Sequence, residues 1–232
     1  MRWCGLLWGW AMLISKVLSF VQGQIDAFFS GLDSLKLESS DVARALEAFE
    51  RCNKQILLKY YETQLSIEDF YHSDKYAVFL YFLSHSLCKT GKPKLATKVY
   101  YLNKILHSVD LFYEICLPEV FSLTHPVGSV LGRAKYGNYL CVYQNCTIGG
   151  DTRDGEICYP TLGEGVVLCA SSKIIGRCQV GDNVIFGANA FVINTDVPSN
   201  SIVVGSYPHH RILPSNHNVL KEFFGIDKDS KG

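Results

Sequence analysis

VLGRAKYGNYLCVYQNCTIGGDTRDGEICYPTLGEGVVLCASSKIIGRCQVGDNVIFGANAFV, residues 130–192, decides the fold of this 232-residue chain. Stepping by six from Val130 gives Tyr136, Val142 and Ile148. After one gap the step resumes through Leu162, Leu168, Ile174, Val180, Phe186 and Val192. Nine of these ten positions are aliphatic or Phe, and five are followed by glycine, at Gly137, Gly149, Gly163, Gly181 and Gly187. Four residues after most hexad starts stands something mostly small: Ala134, Cys146, Thr152, Val166, Ser172, Cys178, Val184 and Ala190. A period of six fits neither an amphipathic helix nor strand alternation. It is the pattern of a parallel β-helix built from hexapeptides, with three short strands per turn. The aliphatic side chain fills a narrow interior, and glycine allows corners that need positive φ.

The gap from Ile148 to Leu162 holds one hexad plus eight residues. An excursion therefore leaves the prism around Asp151–Thr161, and the register survives it. Excursions from a rigid scaffold are where function is usually carried. Ten hexads make only about three turns, leaving open ends and flat apolar faces. The helical segment before them is expected to cap one end. Further subunits should cover the faces, in a trimer or a dimer of trimers with clefts between copies.

Lys plus Arg and Asp plus Glu number 22 each, so charge gives no case for nucleic acid. The nine cysteines include no CxxC pair. An odd, unclustered set points to a reducing compartment such as the cytoplasm, with no metal expected. Cys146 and Cys178 fall on small interior positions, where Cys acts as a compact hydrophobe.

Residues 1–24 form an apolar segment in which Arg2 precedes a run from Trp3 to Ile14, broken by Lys16. Three readings stand: a packed N-terminal helix, a signal peptide with a cleavage site near Val21-Gln22-Gly23, or a helix on a membrane surface, which the three Trp would suit. The apolar run is too short to span a bilayer. Residues 25–122 read as a helical domain. Val42, Leu46, Phe49 and Cys52 line one face after a Ser39-Ser40-Asp41 cap, and Ser66–Asp69 resembles a capping box. Tyr76–Cys88 is apolar on nearly every side, and a further helix is expected from Leu95 to Ile115. His72, His85 and His107 read as structural. The solenoid is expected over 123–212 and a polar tail over 213–232.

Three motifs narrow the reading: Thr124-His125-Pro126-Val127-Gly128, then Cys146-Thr147-Ile148-Gly149-Gly150, then Tyr159-Pro160-Thr161-Leu162-Gly163. Together with Gly187-Ala188-Asn189-Ala190 they make residues 70–212 resemble a serine O-acetyltransferase of the hexapeptide-repeat group. The resemblance implies an α+β fold, a helical domain followed by a left-handed parallel β-helix. It implies an acyltransferase using acetyl-CoA. His125 would be the general base on the acceptor hydroxyl, since an imidazole can take a proton near neutral pH. Gly149, Gly150, Ala170, Gly187 and Ala188 would let the pantetheine arm lie close to the backbone. Lys173, Arg177 and Arg211 would be candidates for the CoA phosphates.

The departures bear on the acceptor. Where the family carries an Asp that holds the serine amino group stands Thr124. Where it carries an Arg-His pair stand Cys158 and Tyr159. Each lost charge-assisted hydrogen bond is worth roughly 1.5–3 kcal/mol. The residues therefore read best as taking a neutral acceptor, such as a sugar hydroxyl in surface polysaccharide synthesis, with Thr124, Cys158 and Arg153 bordering it and the Tyr159 hydroxyl orienting it or donating to the developing oxyanion. A true serine acetyltransferase and a non-catalytic assembly module on the same fold are the alternatives.

Overall fold

The computed structural model describes residues 2–31, 33–58, 61 and 64–227, with side chains from residue 9 onward. Four helices precede the solenoid: α1 (Arg2–Phe29), α2 (Ser39–Lys54), α3 (Ser73–Lys89) and α4 (Pro93–His107). Leu13, Val17, Val21 and Ile25 form a buried i, i+4 stripe on α1, so the helix packs on its neighbours and runs on past residue 24. Among the described residues no helix is long and apolar enough to cross a membrane. Val42, Leu46, Phe49 and Cys52 of α2 are fully buried. The cap of α2 falls on Glu38, whose side chain forms a capping box with Asp41 at the third helical position. The Ser66 capping box is present and opens a single 3-10 turn, Ile67–Tyr71.

The expected Leu95–Ile115 helix stops at His107. Ser108 takes a left-handed conformation (φ 54°) and the chain turns into the first strand of the solenoid, β1 (Asp110–Leu111). The solenoid thus begins before residue 123. One face is β1, β3 (Val130–Leu131), β5 (Thr147–Gly149), β10 (Lys173–Ile175) and β13 (Phe191–Ile193). A second face is β2 (Phe121–Leu123), β4 (Leu140–Val142), β9 (Val166–Leu168), β12 (Val184–Phe186), β14 (Ser201–Val204) and the antiparallel β15 (Arg211–Pro214). The third pairs β8 (Thr161–Leu162) with β11 (Gln179–Val180), extended by the Lys135–Thr161 and Val180–Val197 bridges. Ile148 pairs with Ile174 and Ile174 with Val192, so the in-phase hexads stack directly.

From Val142 to Val192 the hexad starts are at most 5% exposed. Val130 breaks the pattern: it is 39% exposed, and Leu131, at 1%, fills the interior and pairs with Ile148. Tyr136 is only partly buried and donates its hydroxyl to the Gly132 carbonyl at 2.6 Å. Thr152 is not an interior position either. It lies in β6 (Asp151–Arg153), which forms an exposed hairpin with β7 (Glu156–Cys158). At Gly137 the coils approach so closely that a Cβ would lie 2.2 Å from the Gly163 carbonyl. The tail carries a further helix. In it, α5 (Val219–Phe224) buries Val219 and Phe224 against the body, with Phe224 edge-on to Tyr139.

Candidate active site

The sequence-predicted residues sit on two different edges of the first face. One edge is the corner between the second and first faces, where each strand of the β2 set turns into one of the β5 set. Its turns stack: Asn145 N–H donates to the Val127 carbonyl, Ser171 N–H to Gln144 and Asn189 N–H to Ala170, each at 2.9 Å. His125 and Thr124 stand at the first of these turns, with Ala170, Gly187 and Ala188 at the later ones. Lys173 follows the third turn, its amine bent back to the Ser171 carbonyl at 3.0 Å. The other edge, between the first and third faces, carries Gly149, Gly150, Arg153, Cys158, Tyr159 and Arg177. Strands of three residues separate the two edges by roughly 10 Å or more. Arg211 lies apart on β15.

His125 is exposed and takes φ +49°, a left-handed conformation that a non-glycine residue adopts at some cost. Two contacts hold it there. Its N–H donates to Asp74 Oδ2 at 3.0 Å, and its carbonyl accepts from Val127 N–H at 2.8 Å. Asp74 comes from the first turn of α3, so the helical cap fixes the solenoid turn that presents the imidazole. A cavity of about 410 Å³ opens beside it, lined by His72, Asp74, Thr124, His125, Cys141 and Glu222 among others. Burial pushes the Cys141 thiol up to about 11, so this pocket thiol stays protonated and is no nucleophile.

On the opposite edge, Arg153, Asp154, Glu156, Cys158, Arg177 and Asn194 line a separate cavity of about 240 Å³. Arg153 pairs loosely with Asp151 at 3.6 Å. Gly150 is small for a local reason: a Cβ there would lie 2.9 Å from the Tyr159 ring and 3.0 Å from Ile157. Its smallness serves the packing of the excursion. Within one chain His125 lines the first cavity and Tyr159 stands on the opposite edge of the face, so the two residues that the resemblance joined do not meet there.

Sequence reasoning missed Asp74, Cys141 and Glu222. Ser73-Asp74 reads only as a helix start, and Cys141 only as a hexad residue. A signal for Glu222 existed, since Val219 and Phe224 flanking it in a capped segment mark a tail that packs.

A parallel β-helix of hexapeptides capped by helices, with an exposed His on a corner turn, is an arrangement similar to that of the hexapeptide-repeat acyltransferases. The family described as bacterial transferase hexapeptide (six repeats) matches residues 159–194. Among proteins of that group the chain is similar to the serine O-acetyltransferases. It is 28% identical over 149 residues to the serine acetyltransferase of Staphylococcus xylosus, covering 64% of this chain and 68% of that protein. To the serine acetyltransferase of Synechococcus elongatus it is 33% identical over 124 residues, 53% of this chain and 50% of that one. The crystal structure of Neisseria gonorrhoeae serine acetyltransferase superposes with TM-score 0.62 at 22% identity, over 82% of this chain and 71% of that chain. The same enzyme in complex with serine gives 0.58 at 24% identity, over 75% and 69%.

Proposed function

We propose that this acyltransferase moves an acetyl group from acetyl-CoA to the hydroxyl of serine or a closely similar hydroxy-amine. One observation carries the reading: His125 is pinned by Asp74 at the mouth of a cavity of about 410 Å³, large enough for a small acceptor. The relatives named above, all serine acetyltransferases, support this acceptor class. The polysaccharide hydroxyl expected from Thr124 and Cys158 has no support among them, and serine, the alternative, replaces it.

Acetyl-CoA supplies an activated thioester. The chain's part is to hold the acceptor hydroxyl against the His125 imidazole, which takes its proton as the oxygen attacks the acetyl carbonyl. The proton then passes to the departing thiolate, and no enzyme-bound acyl group is required. The stacked small residues Ala170, Gly187 and Ala188 continue along the edge from His125 and leave room for an extended arm against backbone. Free thiols in a chain of this kind suit a reducing cytoplasm.

The second edge, with Tyr159, Arg153 and Arg177, meets His125 only across a subunit boundary. A cyclic trimer would set this edge of one copy against the His125 edge of the next. An arginine of the excursion would then face the acceptor's carboxylate. The test is thiol release from acetyl-CoA with serine, with neutral sugars and with no acceptor. Serine-dependent release supports the reading; release only with sugars would return the acceptor to that class, and none at all would leave an assembly module.

A further inference from the structure

The cavity beside His125 has two kinds of lining. One part is polar and comes from the cap and the corner turn, with His72, Asp74, Thr124 and His125. Another part is apolar: Leu58 from the segment after α2, Tyr143 from the turn after β4, and Phe223 from α5. The apolar part borders a second hydrophobic cluster on the outer side of the second face. Cys141, Val167 and Ile185 alternate with the inward residues of β4, β9 and β12, and Val219 and Phe224 of α5 join them. Leu58, Tyr143 and Phe223 pack against this cluster and are only partly buried, so they keep apolar surface for the cavity.

Contacts at both ends hold α5 in place. Before it, Asn183 of the solenoid donates from Nδ2 to the His217 carbonyl at 2.8 Å and accepts Val219 N–H at Oδ1 at 2.9 Å. After it, the Phe224 carbonyl accepts from Leu57 N–H at 2.8 Å. The chains there pass so closely that a Cβ at Gly225 would lie 2.6 Å from the Leu57 carbonyl. Between these contacts Val219 and Phe224 are fully buried. Glu222, the other α5 residue at the cavity, is engaged by His217 Nδ1 at 2.8 Å and Asn218 N–H at 3.1 Å. Phe223 is therefore a fixed apolar wall.

We infer that the acceptor is a hydroxy-amine carrying an apolar group, its hydroxyl toward His125 and the apolar group against Phe223 and Leu58. At about 410 Å³ the cavity falls within the roughly 300–1,000 Å³ of pockets that enclose drug-sized ligands. Serine offers nothing apolar to such a wall. Each methylene buried against it should gain roughly fourfold in affinity. The inference deepens the acetyl-transfer reading and rests on it for the role of His125. Phe223 then selects the acceptor, a property of binding that is measurable without turnover.

The experiment titrates the full-length protein calorimetrically with ethanolamine, alaninol, leucinol and phenylalaninol, and with L-serine, and measures thiol release from acetyl-CoA with each. The four amino alcohols share a primary hydroxyl and an amine and differ only in the apolar group. Affinity should rise along the series, with phenylalaninol bound at least about tenfold more tightly than ethanolamine. Phe223→Ala should flatten the series, weakening phenylalaninol about tenfold more than ethanolamine. Phe223→Leu, which keeps an apolar side chain, should restore most of the slope. A flat series in the wild type, a slope untouched by Phe223→Ala, or no binding of any amino alcohol would each overturn the inference. A rising series that Phe223→Ala flattens, without acetyl transfer to any acceptor, would support it while sinking the catalytic reading. Serine turnover beside a flat series would do the reverse.

Discussion

The backbone N–H of His125 donates to the carboxylate of Asp74 at 3.0 Å, joining the solenoid's first corner to the first turn of α3. Fifty-one residues separate the two in sequence. The bond ties the two halves of the chain together at the point where the chemistry is placed. Removing the acceptor leaves a donor unsatisfied in a turn already held at positive φ. Asp74→Ala is therefore expected to lower unfolding free energy by ~1–3 kcal/mol and turnover by about tenfold or more. Urea unfolding and thiol release measure the two. Full activity would show that α3 does not position the turn.

Because His125 is exposed and left-handed, Asn is the replacement of choice, being tolerant of that conformation. His125→Asn should keep the melting temperature and reduce kcat by ~10²–10⁴, the usual cost of losing a positioned base. Turnover within about threefold of wild type would take His125 out of the mechanism.

Gly150 and Tyr159 give a steric test of the excursion. A methyl at 150 collides with the ring at 2.9 Å, so Gly150→Ala should displace the hairpin at a cost of ~1–3 kcal/mol and lower kcat/KM. Tyr159→Phe keeps the ring in place. Its effect on kcat/KM, about tenfold or more, reports only the hydroxyl. A silent Tyr159→Phe beside a damaging Gly150→Ala would leave Tyr159 a packing residue.

Two edges that cannot meet within one chain can meet between chains. Two impaired variants, His125→Asn and an excursion variant such as Gly150→Ala, are expected to complement when co-expressed. Recovery should approach about a quarter of wild-type turnover, since each site of a mixed cyclic assembly draws its two edges independently. Sedimentation as a stable monomer, or no recovery in a mixed assembly, would remove the shared cleft.

His107 gives a pH dependence with a definite sign. Burial lowers its folded pKa to about 4, against about 6.5 in an unfolded chain. Below pH 6.5 the unfolded chain takes up a proton that the folded one refuses. Stability from this group is thus complete above about 6.5, falls as the pH drops toward 4, and levels off below, by ~1–3 kcal/mol in all. His107→Gln, retaining a partner for the Asn103 side chain, should flatten urea midpoints between pH 6.5 and 4.5. An unchanged slope would show that carboxylates alone set the acid limit.

The six-residue period from Val142 to Val192 determined the solenoid, its stacking register and the excursion. In a prism so narrow every sixth side chain has nowhere to go but inside. The same rule slipped at Val130, where Leu131 points inward instead. The first coil is fed by a non-repetitive segment and is not bound to the phase of the later ones. His125 was legible because its motif is local, and the cap on α2 nearly so, three residues matching with the cap one place earlier. What tertiary structure alone decided is the company His125 keeps. Asp74 arrives from a helix start and Glu222 from a tail that composition marks only as polar, while Tyr159 and Arg153 go to the far edge of the face. Periodicity reports which way a side chain points within its own element. Which distant charge lies across a pocket depends on how the cap and the tail dock, and that is settled by the burial of side chains such as Phe49, Phe121 and Phe224.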